Sequence, residues 1–152
     1  MDMLLLKNKR LIIISLCLLF SFNLFSNSIK KETDKTMKKI RKDLICSEID
    51  LSDYYPHVDG VANIYVDKTN KFKSFVNLSF FTSMYKKEYY VCFNNDRVFG
   101  YIEKITYAEP YDTGNSSVEL ESEFSYSLKQ MKSQKAEIDK YILVALELLE
   151  EK

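Results

Sequence analysis

The stretch that decides the fold is Lys87–Tyr107, KEYYVCF-NNDR-VFGYIEKITY. Two aromatic, β-branched runs flank the short polar turn Asn94–Arg97, which is the signature of an antiparallel hairpin. Working back from it, Phe72–Ser83 (FKSFVNLSFFTS) alternates with period two. Phe72, Val76, Leu78 and Phe80 fall on one side, with Lys73, Phe75, Asn77, Ser79 and Phe81 on the other. The more apolar side is expected to face the core. Val61–Asp67 (VANIYVD) reads as a shorter strand closed by the turn DKTNK.

Working forward, Pro110 removes a backbone donor, so the second hairpin strand should end by Glu109. After the loop DTGNS, Ser117–Leu128 alternates Val118, Leu120, Ser122, Phe124, Tyr126 and Leu128 against mostly Glu and Ser. A one-sided strand with a wet face of Glu119, Glu121 and Glu123 is expected.

Helical spacing appears at both ends. Ile29, Thr33, Met37, Ile40, Leu44 and Ile45 predict a helix over Ser28–Ser47, with the basic run KKIRK (Lys38–Lys42) on its solvated side. Ser47–Gly60 is rich in Asp, Ser and Pro and reads as a linking turn. Ser133 is the expected N-cap of a final helix to Glu150, striped by Ala136, Ile138, Tyr141, Ile142, Ala145, Leu148 and Leu149. The expected architecture is α+β: an N-terminal helix, a four- to five-stranded antiparallel meander, and a C-terminal helix packed on the sheet.

The first 28 residues carry a different message. Lys7, Lys9 and Arg10 precede the apolar run Leu11–Phe20, and a polar exit brings small residues at Ser26 and Ser28. That order is the pattern of a secretory signal peptide cut after Ser28. The apolar stretch to Phe25 is short of the ~20 residues of a membrane span, so a membrane-anchored form is the alternative. Leu16 before Cys17 argues against a lipid-modified cysteine. The expected organisation is residues 1–28 as signal peptide and 29–152 as a single domain, exported to the periplasm or secreted.

Cleavage there leaves 124 of the 152 residues with a formal net charge of −2. A chain without basic excess does not suit nucleic acid. It keeps all 11 Tyr, though Phe20, Phe22 and Phe25 leave with the signal, has no low-complexity tract and is long enough for one real core. Cys46 and Cys92 remain after cleavage, and in an oxidising compartment they are either one long-loop disulfide or two buried thiols.

The segment Gly60–Tyr126 resembles a loose group of uncharacterised exported bacterial β-meander proteins. The pieces that carry the likeness are IYVDKTNKFKSF, KEYYVCFNNDRVFGYIEK and TYAEPYD. This chain departs in having NNDR in place of an Asn-Gly turn and in its long last helix. The resemblance implies an exported β-meander and transfers no catalytic residue.

Chemistry is sparse. The one histidine, His57, sits among Asp50, Asp53 and Asp59, but without any metal-ligand spacing, and neither metal nor cofactor is expected. No GxSxG, phosphate-cradling glycine loop or nucleophile context is present. Carboxylates on or near the last strands (Glu103, Glu109, Asp112, Glu119, Glu121, Glu123) leave a small carboxylate-dependent hydrolase as the alternative function. The leading expectation is a non-enzymatic domain that binds a protein partner in the cell envelope by a sheet face or edge. Tyr89, Phe93, Tyr101 and Tyr107 are its candidate recognition residues, or else part of the core.

Overall fold

A computed structural model describes residues 29–39, 45–54, 57–67, 73–108, 116–133 and 139–151. Helix α1 runs over residues 29–39. Six strands follow: β1 (Ile45–Asp50), β2 (Gly60–Val66), β3 (Lys73–Phe81), β4 (Tyr85–Asn94), β5 (Arg97–Thr106) and β6 (Ser117–Ser127). Helices α2 (Leu128–Ser133) and α3 (Lys140–Glu150) end the chain. The strands form one antiparallel sheet in the order β1-β2-β3-β4-β5-β6, so every connection joins neighbours. The α+β class is as expected, with six strands where four or five were counted.

The additional strand is β1. Its residues were expected to be a helix tail and a turn, but Ile45–Asp50 pairs residue by residue with Val66–Val61. Pairing along a preformed neighbour outweighs local helical spacing, which is a weak prior. The central hairpin forms as read, with the two-residue turn Asn95–Asp96 between β4 and β5. Asn95 takes φ 55, a left-handed conformation that Asn tolerates.

The last helix is shorter than expected and differently capped. Ser127 and Gln130 form a reciprocal cap at the start of α2: Gln130 N donates to Ser127 Oγ at 3.1 Å, and Ser127 N donates to Gln130 Oε1 at 3.0 Å. Ser133 therefore ends a helix. The N-cap of α3 is Asp139, whose Oδ1 accepts from Tyr141 N at 3.0 Å. Ala136 and Ile138 lie outside the described residues, as do Glu109, Asp112 and the whole segment 1–28.

Both faces of the sheet are covered. On one, Ala62, Ile64, Val76, Leu78, Val91 and Phe93 pack against Ile142, Ala145, Leu148 and Leu149 of α3. Each large side chain so buried contributes about 1.5–3 kcal/mol. The other face holds a smaller cluster, Phe75, Cys92 and Phe99, closed by Met37 of α1. Here α1 is fastened mainly by polar contacts. Lys30 pairs with Glu103, Arg97 donates to Glu32 at 2.8 Å, and Tyr101 OH donates to Asp34 at 2.7 Å.

The register slips once, between Ile102 and Glu103: Ile102 faces Ser122, but Glu103 faces Leu120. The extra residue on β6 is a β-bulge, and one added residue reverses side-chain parity. Phe124 stays in the α3-side core, whereas Leu120 and Val118 continue the rows of Glu103 and Ile105 on the α1 side. The expected single apolar side of β6 is thus split between two faces.

Candidate binding surface

Among the described residues, Met84 (71% exposed), Val118 (61%) and Leu120 (40%) are the exposed large hydrophobic residues, and all three lie at the same end of the sheet. Cross-strand register places them. The row Phe81–Lys86–Ile105–Val118 crosses four strands on the α1 side, and the next row inward is Ser79–Glu88–Glu103–Leu120. Phe81 and Ile105 are half-buried, so the outer row is a continuous apolar strip interrupted by Lys86, which stands over the Phe81 ring at 5.4 Å. Met84 tips the β3–β4 turn. Thr82 Oγ1 accepts from Met84 N at 3.3 Å and Tyr85 N at 3.0 Å, and Tyr107 N donates to Met84 O at 3.0 Å.

Of the four candidate recognition residues, only Tyr107 reaches this surface. Tyr89 and Phe93 are buried in the α3-side core, and Tyr101 is buried on the opposite face. They do not form one patch, because β4 odd-numbered and β5 odd-numbered positions point to opposite faces in this register. Tyr90 instead stacks on Tyr101, with centroids 4.6 Å apart, and Ile102 lies in the α3-side core. Met84, Ile105, Val118 and Leu120 were not among the expected site residues. The bulge that exposes two of them leaves no mark in the alternation.

Inward of the strip lies a buried carboxylate pair. Glu88 and Glu103 are direct cross-strand partners, each about nine-tenths buried. Both are neutralised from within: Lys86 bonds Glu88 at 2.7 Å, and Lys30 bonds Glu103. Burial raises the Glu88 pKa, but bonds from Lys86, Tyr90 and Ser79 outweigh it and hold the carboxyl below its ordinary range. A general acid needs the opposite shift. Glu121 bonds Lys87 at 2.8 Å instead, and Glu123 accepts from Lys30 N at 3.3 Å, so the residue that bonds Glu103 also holds Glu123.

Cys46 and Cys92 are both free thiols. They share a row, Cys46–Tyr65–Phe75–Cys92, with two strands between them. Three inter-strand spacings are about 14 Å, far beyond a disulfide. Burial pushes the Cys92 thiol pKa up. His57, exposed at φ 77, lies beside Asp59 in the loop before β2, and among the described residues no group of His, Cys, Asp and Glu could hold a metal ion.

On the α3 side of the same sheet end is a cleft of about 240 Å³. Phe80, Tyr85, Tyr89 and Tyr141 wall it, and His57, Asp59 and Lys87 bring polar tips. Phe80 and Tyr141 are in ring contact, centroids 4.1 Å apart, and Tyr89 OH donates to Asp139 at 3.2 Å. Burial, reinforced by Asp139, raises the Tyr89 pKa. No protein-family model, curated protein or solved structure matches the chain. No helix among the described residues is long and apolar enough to cross a membrane.

Proposed function

We propose that this is an exported, non-enzymatic binding domain of the cell envelope, which takes an apolar segment of a partner protein on the strip Phe81–Ile105–Val118 with Leu120 and Met84. The observation that carries the reading is the gathering of three exposed large hydrophobics, all those among the described residues, at one sheet end, two of them on an edge strand. Clustered apolar exposure marks interaction surfaces, whereas scattered exposure needs no explanation. Size favours a single segment. These three side chains expose roughly 300 Å², well short of the ~800 Å² per partner of a stable dimer. The bulge and the three glutamates of β6 also discourage simple strand addition along the edge.

The test is photo-crosslinking in intact cells, with a photoreactive residue at position 118 and a control at position 39 on α1. A discrete heterologous adduct from 118, absent from 39 and lost in Leu120→Gln, supports the proposal. Equal adducts from both positions would refute it. So would an adduct of twice the chain's own mass, which would make the strip a self-association surface.

A further inference from the structure

We propose that α1 is an electrostatic latch, which opens while the rest of the domain stays folded and, when closed, covers the inner part of the face that carries the apolar strip. The covering role rests on the binding surface proposed above; the latch itself does not. The two long helices are held in different ways. α3 sinks Ile142, Val144, Ala145, Leu146, Leu148 and Leu149 into the core. Within α1 only Thr33 is fully buried, and its hydroxyl is spent on Ile29 O of the same helix at 2.8 Å. Met37 packs on the Phe75–Cys92–Phe99 cluster.

Further fastenings of α1 run through carboxylates. Glu103 takes the Lys30 ammonium and Glu123 its backbone N–H, while Arg97 donates to Glu32 and Tyr101 OH to Asp34. These bonds reach water: the side chains of Arg97 and Glu32 are each 41% exposed, and that of Lys30 is 37% exposed. An ion pair open to solvent favours the closed state by about fivefold at most. It weakens as the screening length falls from ~10 Å at 0.1 M salt to ~3 Å at 1 M. A helix of this length has little stability of its own, so α1 lifts and unwinds once the pairs are lost.

Register shows what the latch covers. Inward from Ser79–Glu88–Glu103–Leu120 come the rows Asn77–Tyr90–Tyr101–Glu123 and Phe75–Cys92–Phe99–Ser125. Lys30 is bonded in the first two of these, so the start of α1 closes the strip off beside Leu120. With α1 lifted, the rings of Tyr90, Tyr101, Phe75 and Phe99 continue the apolar surface. One face of each adds roughly half of the 150–250 Å² that a whole ring buries. Together with the roughly 300 Å² of the strip, the open face approaches the ~800 Å² per partner of a stable complex. Opening also leaves the nearly buried Glu103 without its cation. The occupant that fits is an apolar segment of the partner protein carrying one Lys or Arg to replace Lys30 there.

The experiment is amide hydrogen exchange of the chain recovered from cells, read by peptide mass in 0.1 M and 1 M sodium chloride. The α1 amides are expected to exchange together, at least about 100-fold faster than those of β4 and β5. The higher salt should speed α1 about tenfold and leave β4 and β5 unchanged. Glu32→Gln/Asp34→Asn should reproduce that acceleration in 0.1 M salt. Exchange of α1 as slow as that of β4, or insensitive both to salt and to the double variant, overturns the latch. The covering role is read from the adduct at position 118, which should rise severalfold in Glu32→Gln/Asp34→Asn. Glu103→Gln also frees α1 but offers no charge to a basic residue, so there the adduct should fall. An unchanged adduct in the double variant overturns the covering role, and a rise in Glu103→Gln overturns the basic residue of the partner. Absence of any adduct from all three chains removes the binding surface itself, while the exchange rates still decide the latch.

Discussion

Gly100→Ala is expected to cost this domain a large part of its stability. Gly100 lies mid-strand in β5, between Val91 of β4 and Phe124 of β6. A Cβ there would stand 1.8 Å from Tyr90 O and 2.9 Å from Phe124 Cζ. Carbon–oxygen contacts between strands normally sit at about 3.3–3.6 Å, so β4 and β5 must part by about 1.5 Å at this point. Such a gap sacrifices two ladder hydrogen bonds at about 1 kcal/mol each. Displacing the Phe124 ring adds an overpacking cost of about 1–3 kcal/mol. The sum is about 3–5 kcal/mol, against a typical native margin of about 5–15 kcal/mol. Urea unfolding followed by circular dichroism measures it as a lower midpoint at unchanged slope. A loss below about 1 kcal/mol would refute the reasoning, because it would mean that the β4–β5 register around Gly100 differs from the one described.

Asp139→Ala removes both the cap on Tyr141 N and the acceptor of Tyr89 OH, and should cost about 2 kcal/mol in the same assay. Glu88 has a lowered folded pKa, so its contribution is present above the unfolded carboxylate pKa and is lost as pH falls through the folded value. Glu88→Gln should therefore flatten the acid limb of the stability–pH curve, and an unchanged acid limb would contradict the Lys86 and Tyr90 contacts. Under native conditions iodoacetamide should label Cys46 rapidly and Cys92 only after unfolding, as peptide mass mapping would show. Protection of both thiols that disappears with reductant would instead indicate a disulfide.

Strands β2 to β5 were legible because hairpin turns and period-two alternation are local signals. Val76, Leu78 and Phe80 face the core as their spacing implies, and Phe75 shows that the opposite face is buried as well. β1 was hidden because Ile45 and Ile49 also fit a helical period, and only pairing with β2 selects the strand. The reciprocal cap of Ser127 and Gln130 can be read in the sequence as S-x-x-Q, but the strong alternation before it draws attention to a strand. The bulge in β6 could not be read at all. Val118, Leu120, Phe124 and Tyr126 share one parity, and nothing local says that the parity reverses between Leu120 and Ser122. The candidate surface depends on that reversal.

The most direct test is the unfolding midpoint of Val118→Ser/Leu120→Gln, neutral changes that add no charge opposite Glu103, measured with its crosslinking at position 81. If the bulge turns both residues outward, stability stays within about 0.5 kcal/mol of the native chain while the partner adduct disappears. If both residues are in the core, the double variant unfolds at far lower urea or fails to fold. That result, or an undiminished adduct, would contradict the account.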